Sequence, residues 1–304
     1  MDLREQSYIL ALAKHGSIKN AAEELHISSP TLSIFLSNLE DNIGIRLFDR
    51  LGKRFVPTEA GTLYIKTARE MMNLRNCYEA ELSDLKNGTT GTISFGIQPR
   101  RTLYLLSAVL SEFCAMYPNV QINTCEEVSS VAFSLLISGE LDFIINNRIN
   151  DNPALTYSPF YQDRIVMVAA ADHPLLSNCV SLPGKETPWI DLALFQNERF
   201  ILTHTDQSSR TYADKALAYS HITPRKSFLI SNLETAAQLA AEGLGIAFNF
   251  ESYIRNFTYA KPVRYFYVGD MEETTNYYIV CRKDKYLPNY VLSFISLLRD
   301  KISI

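Results

Sequence analysis

Nowhere in these 304 residues is there a run of eighteen apolar side chains, which excludes a helix long enough to span a bilayer. The N-terminal Met1-Asp2-Leu3-Arg4-Glu5 carries charge of both signs and leads into no apolar h-region, so no secretory signal and a cytoplasmic location are expected. Cysteine is scarce. Cys77, Cys114, Cys125, Cys179 and Cys281 are odd in number and far apart, with no Cys-x-x-Cys and no zinc spacing. They read as thiols of a reducing compartment, a redox switch being the other use. Catalytic signatures are missing too: no Gly-x-Ser-x-Gly, Walker loop or His-Glu-x-x-His occurs, and Gly243-Leu244-Gly245 is an isolated Gly-x-Gly. No enzymatic activity, cofactor or metal is therefore expected. Surplus positive charge is lacking as well. The net charge is -4, and in the first sixty residues seven lysines and arginines stand against eight acids. Any claim of nucleic-acid binding must rest on pattern, not on bulk charge.

What is present is a composition able to bury two or three cores: 47% hydrophobic and 20% charged. Residues 3–14 carry Leu3, Tyr8, Ile9 and Leu12 on one helical face, stopped at His15-Gly16. Ser17 is placed to cap a second helix over 18–25, where Ala21 and Ala22 allow close packing. After His26-Ile27, Ser28 or Ser29 caps a third helix with Pro30 in its first turn. Its apolar positions are Leu32, Leu36, Leu39 and Ile43, and Gly44 ends it. Two short helices joined by a tight turn make a helix-turn-helix. Residues 46–57 hold Arg46, Arg50, Lys53 and Arg54 and read as a β-hairpin wing turning at Gly52-Lys53.

Thr58 caps a long helix reaching Leu85. Tyr64, Thr67, Met71, Leu74, Tyr78, Leu82 and Leu85 repeat on it at a period near 3.5, the spacing of a seam that pairs with another copy. Packing against its own chain is the alternative. Asn87-Gly88-Thr89-Thr90-Gly91 reads as a linker. Strands are expected at 92–97, 120–125, 141–146, 164–170, 200–202, 227–230, 245–250, 263–268 and 275–282. Helices are expected at 103–117, 130–138, 208–220, 232–243 and after Pro288. This alternation implies βαβ units and a parallel sheet.

Several landmarks together resemble the LysR-type transcriptional regulators. They include Gly16-Ser17-Ile18, Ala21-Ala22, Pro30-Thr31-Leu32-Ser33, Gly44-Ile45-Arg46-Leu47-Phe48-Asp49-Arg50 and Pro57-Thr58-Glu59-Ala60-Gly61. Tyr117-Pro118-Asn119-Val120, Gly139-Glu140-Leu141-Asp142, Asp172-His173-Pro174-Leu175 and Ala241-Glu242-Gly243-Leu244-Gly245 continue the series. The resemblance implies an α/β protein with an N-terminal winged helix-turn-helix (1–58), a dimerising linker helix (59–87) and a two-lobed effector domain like a periplasmic binding protein (88–304). Lobe I would take 91–162 and 267–304, and lobe II 163–266. The function so implied is a sequence-specific DNA-binding transcription regulator controlled by a small, anionic effector in the interlobe cleft. Its partners would be promoter double-stranded DNA and copies of itself, as a dimer or tetramer, with no membrane. The alternative is a solute-binding-type protein whose degenerate helix-turn-helix makes protein contacts.

The sequence departs from the family on the recognition helix, where Ser29, Ile34, Phe35 and Ser37 replace a glutamine and basic residues. From Pro30 to Asn42 there is no Lys or Arg, so bidentate reading of guanine is unavailable there. Ser28, Ser29, Pro30, Thr31, Ser33 and Ser37, with Arg46, Arg50, Lys53 and Arg54, are the expected DNA contacts. Ile34 and Phe35 either meet thymine methyls or simply pack. For the effector, Gln98, Pro99, Arg100 and Arg101 follow a strand and precede a helix, a place suited to an anion. Ser129, Thr203, His204 and Phe248 complete the expected effector set. Tyr64, Met71, Leu74, Tyr78 and Leu82 are the expected dimerisation contacts.

Overall fold

The protein is described by a computed structural model over residues 3–52, 54–85, 90–98, 101–254, 257–283 and 285–302; of Ser83 only the backbone is described. The chain divides into two compact units. One is Met1–Asn146, Asn150–Tyr157 and Ile279–Lys301; the other is Asn147–Ile149, Ser158–Tyr278 and Ile302–Ile304.

The first unit opens with α1 (Leu3–His15), α2 (Ile18–Glu24), α3 (Ser29–Ile43), a hairpin of β1 (Phe48–Leu51) and β2 (Arg54–Pro57), and α4 (Glu59–Leu85). Ile9, Leu12, Ala21, Ala22, Leu32, Leu36, Leu47, Phe48 and Ala68 form their common core. Local chemistry fixes the boundaries. Ser28, not Ser29, caps α3: its hydroxyl accepts the Thr31 N–H at 3.2 Å. Gly44 terminates α3 in the left-handed region at φ 77°. Ser17 occupies the N-cap of α2, but its side chain makes no capping bond. Thr58 accepts the Gly61 N–H at 3.0 Å and donates to the Arg46 carbonyl at 2.8 Å, joining wing to α4. A Cβ at Gly61 would stand 1.9 Å from the Leu47 carbonyl oxygen, so only glycine lets the wing lie this close.

The same unit carries most of a sheet with strand order β4-β3-β5-β12-β6. These strands are β3 (Thr90–Ile97), β4 (Asn119–Glu126), β5 (Phe143–Asn146), β6 (Leu155–Asp163) and β12 (Thr275–Arg282). The helices are α5 (Arg101–Met116), α6 (Ser129–Ile137) and, after β12, α9 (Asn289–Lys301). β3 pairs in parallel with β4 and β5, as the strand–helix alternation implies. Phe95 stacks on Phe143 at 4.9 Å, and Phe294 of α9 meets Phe113 edge-on at 5.0 Å.

The second unit holds β7 (Ile165–Ala170), β8 (Arg199–Leu202), α7 (Ser208–Tyr219), β9 (Lys226–Leu229), α8 (Leu233–Ala241), β10 (Ile246–Phe250) and β11 (Val263–Tyr267). Its sheet runs β11-β7-β10-β8-β9. The expectation of parallel sheets needs correcting here. β8 pairs in parallel with β9 and β10, but β7 is antiparallel to both β10 and β11. The connection from β7 to β8 is long and contains only short 3-10 turns, Pro174–Asn178 and Leu192–Phe195, so no crossover helix dictates direction.

Two further readings change. β6 is not among the expected strands, because Pro159 lies inside it and its burial does not alternate. β6 lies at the sheet edge, the place where a strand tolerates proline. The expected linker ends early: β3 begins at Thr90, and a Cβ at Gly91 would stand 2.4 Å from the Tyr290 hydroxyl. Gly91 therefore marks close packing, not a hinge; residues 87–89 lie outside the described set. No helix among the described residues is long and apolar enough to cross a membrane.

Candidate nucleic-acid interface and effector residues

α3 divides sharply into two faces. Leu32 and Leu36 are buried, Phe35 and Leu39 pack beside them, and Phe35 meets the Tyr8 ring edge-on at 5.1 Å. Pro30, Thr31, Ser33, Ile34, Ser37 and Asn38 are exposed. The two alternatives for Ile34 and Phe35 thus separate: Phe35 packs, and Ile34 stays 61% exposed. Ser28 is occupied as the cap and also bonds the Thr31 hydroxyl at 2.7 Å, while Ser29 is half-buried.

The wing brings Arg46, Arg50 and Arg54 to the surface, with the Arg50 guanidinium over the Phe55 ring at 5.8 Å. Lys53 lies outside the described residues. The wing is held to α3 by Glu40, whose Oε1 accepts the N–H groups of Leu47 and Phe48 at 2.7 and 3.0 Å. Lys14 is committed elsewhere. It bonds Glu24 at 2.7 Å, as does His15 at 2.6 Å, and these bonds hold the Glu24 carboxyl below the usual carboxylate range.

α4 meets its own chain at several points along its length. Tyr64 is buried in the helix-turn-helix core, Asn73 donates to the Ser138 carbonyl at 2.9 Å, and Asp84 accepts from the Tyr286 hydroxyl at 2.8 Å. Farther along the seam that Tyr64 begins, Leu74 is 72% and Tyr78 64% exposed, while Met71 and Leu82 are half-buried. Sequence periodicity marks the whole stripe and does not tell its packed turn at Tyr64 from its open turns at Leu74 and Tyr78.

Of the effector candidates, Pro99 and Arg100 lie outside the described residues. Arg101 is not a surface arginine. It is buried at the start of α5, donating to the Tyr104 hydroxyl at 2.9 Å and to the Gln98 Oε1 at 3.4 Å. Ser129 pairs with buried Asn146 at the end of β5, at 3.1 and 3.2 Å. In the second unit, buried Thr203 pairs its hydroxyl with that of Ser209 at 2.9 Å, and Arg210 donates to the Thr203 carbonyl at 3.0 Å. His204 is exposed. Phe248 corrects the expectation: its ring is buried in the second unit's core, stacked 6.1 Å from Phe200, and it presents no ligand wall. Sequence reasoning misses Asn146, Ser209 and Arg210. Their signal is positional, a polar residue closing a strand or opening the helix after it.

The five cysteines are free. Burial pushes the Cys281 thiol up to about 11, which suppresses its reactive thiolate. Among the described residues no three His, Cys, Asp or Glu gather to hold a metal.

Two family models match the chain. Residues 3–62 match the bacterial regulatory helix-turn-helix protein, lysR family, and residues 86–303 match the LysR substrate binding domain. The uncharacterized HTH-type transcriptional regulator YwqM of Bacillus subtilis (strain 168) is 30% identical over 304 residues, covering 98% of this chain and 99% of that protein. The DNA-binding transcriptional dual regulator OxyR of Escherichia coli (strain K12) is 26% identical over 247 residues, 81% of this chain and 78% of that one. A full-length OxyR variant from Pseudomonas aeruginosa shares the fold with TM-score 0.73 and 22% identity, over 99% of this chain and 94% of that chain.

Proposed function

The chain belongs to the LysR family of bacterial regulators, and from that premise we infer that α3 and the β1–β2 wing form its promoter-reading surface. It is an effector-responsive, DNA-binding transcription regulator that works as an oligomer. One observation carries the assignment: the face of α3 turned away from the core is exposed and carries short hydroxyls, and the wing that Glu40 holds to this helix exposes Arg46, Arg50 and Arg54. Short hydroxyls at Thr31, Ser33 and Ser37 would meet base edges or phosphates, and the wing arginines would hold the backbone. The working limits are 1–58 for DNA reading, 59–87 for dimerisation through Leu74 and Tyr78, and 88–304 for the effector. The cytoplasm, where its DNA lies, is the proposed location, and no catalytic role is assigned.

The effector reading rests on each unit separately. In the first, Ser129 and Asn146 close a strand near helix α6, and Arg101 opens α5 beside Gln98. In the second, Thr203 and Ser209 stand at a strand-to-helix junction backed by Arg210. Hydroxyls supported by guanidiniums at helix starts suit a small anion. The test selects genomic fragments with the full chain and footprints them, then screens carboxylates and phosphates by thermal shift. A protected promoter and an anion whose stabilisation falls in both Ser129→Ala and Thr203→Val are expected. Hits confined to neutral or cationic compounds overturn the anion reading and leave the DNA reading standing.

A further inference from the structure

Two large apolar side chains of the recognition helix stay exposed, Ile43 at its C-terminal end (44%) and Ile34 near its middle. Ile34 is 61% exposed on α3, while its neighbour Phe35 is taken up against Tyr8 and the domain core. Residues one turn away from Ile34 are Pro30, Thr31, Ser37 and Asn38, all exposed, so it belongs to no apolar stripe of that helix. A helix repeats every 3.6 residues, which sets Ile34 roughly opposite buried Leu32 and Leu36, at the middle of the outward face. From Pro30 to Asn42 this face has no lysine or arginine.

These facts restrict what the face can read in a major groove. Guanine is recognised chiefly by bidentate Arg or Lys, and neither is present. Serine and threonine hydroxyls are short and accept or donate without strong preference. The one base feature that an aliphatic side chain distinguishes is the thymine C5-methyl group. Burying that methyl against Ile34 removes apolar surface from water, a contribution available at thymine and absent at the other three bases.

We propose that Ile34 is a specificity-determining residue that packs on the C5-methyl of a thymine in each half-site, so that the operator is selected by a methyl group instead of an arginine–guanine pair. The proposal rests on the assignment of α3 as the DNA reader. Its reach is chemical: uracil pairs like thymine but lacks the methyl, so it isolates the contact.

The full chain is used to select and footprint an operator, and each thymine inside the footprint is then replaced singly by uracil. One or two positions per half-site should lose about fourfold in affinity, the ratio that corresponds to one buried CH2-sized group. In Ile34→Ala the uracil penalty at those positions should vanish while other positions keep theirs, and Ile34→Val should retain part of it. Because Ile34 is exposed, the variants should unfold at the wild-type temperature, which separates lost reading from lost folding. If no thymine is sensitive to uracil, or the sensitivity is unchanged in Ile34→Ala, the methyl reading is wrong although α3 still binds DNA. If the full chain retains no fragment at all, the DNA-reading assignment falls and takes this proposal with it.

Discussion

One oxygen of Glu40 couples the recognition helix to the wing. It accepts two backbone N–H groups, from Leu47 and Phe48, where the chain enters the hairpin. A hydrogen bond to a charged group contributes about 1.5–3 kcal/mol, and removing the carboxylate takes away the acceptor that both donors share. Glu40→Ala should therefore lower the stability of the DNA-binding part by about that amount in urea unfolding, whereas Glu40→Gln keeps an acceptor and should lose less. Equal losses in the two variants would show that packing, not the hydrogen bonds, explains Glu40. At this scale the sequence is legible where local chemistry acts alone. Gly44, Thr58 and Pro30 announce helix ends through dihedral freedom, a capping hydroxyl and a missing donor respectively. It is illegible where a side chain's direction decides its role. Phe248 reads as a ligand group by position, but its ring turns inward to Phe200, and Arg101, read as one of two open guanidiniums, is buried against the Tyr104 hydroxyl.

At the scale of elements, α4 shows why a repeat is a weaker signal than a boundary. Its period near 3.5 admits either a dimer seam or packing on its own chain, and the helix uses the two ends of that seam differently. Tyr64 belongs to the helix-turn-helix core, with Tyr8, Ile9 and Ala68 in the same cluster. Leu74 and Tyr78 face outward. This separates two experiments. Tyr64→Ala should lower the unfolding temperature and leave the oligomer intact once folded, because losing a buried ring costs on the order of 3–5 kcal/mol. Leu74→Asp with Tyr78→Asp should leave the monomer folded, with its thermal transition little changed, but shift sedimentation from dimer to monomer and abolish operator retention. A double variant that sediments as the wild type would remove this face of α4 from the dimer contact. β6 and Gly91 teach the same lesson from the other side. Proline inside a strand and glycine in an apparent linker are explained by neighbours distant in sequence, an edge position and the Tyr290 hydroxyl.

Taken whole, the molecule binds DNA against its net charge of -4, so its phosphate contacts come from locally placed cations and not from bulk charge. Lys14 is paired with Glu24, and among the described residues of the wing the exposed cations are Arg46, Arg50 and Arg54. Each phosphate neutralised releases counterions and steepens the dependence of log K on log salt by about 0.9. Replacing Arg50 and Arg54 together with Ala should flatten that slope by about one unit for each phosphate no longer neutralised, and in an oligomer the effect is multiplied by the number of bound wings. Sequence preference should change little, because phosphate contacts position the protein without reading bases. Arg50→Lys sharpens the measurement. It keeps the charge and so the slope, while giving up the planar guanidinium that lies over Phe55. Ile34→Ala should do the opposite, altering preference at individual bases with the slope intact. The measurement is fluorescence anisotropy of a labelled operator titrated with the full chain at several salt concentrations. An unchanged slope in the double alanine variant would place the phosphate contacts outside the wing.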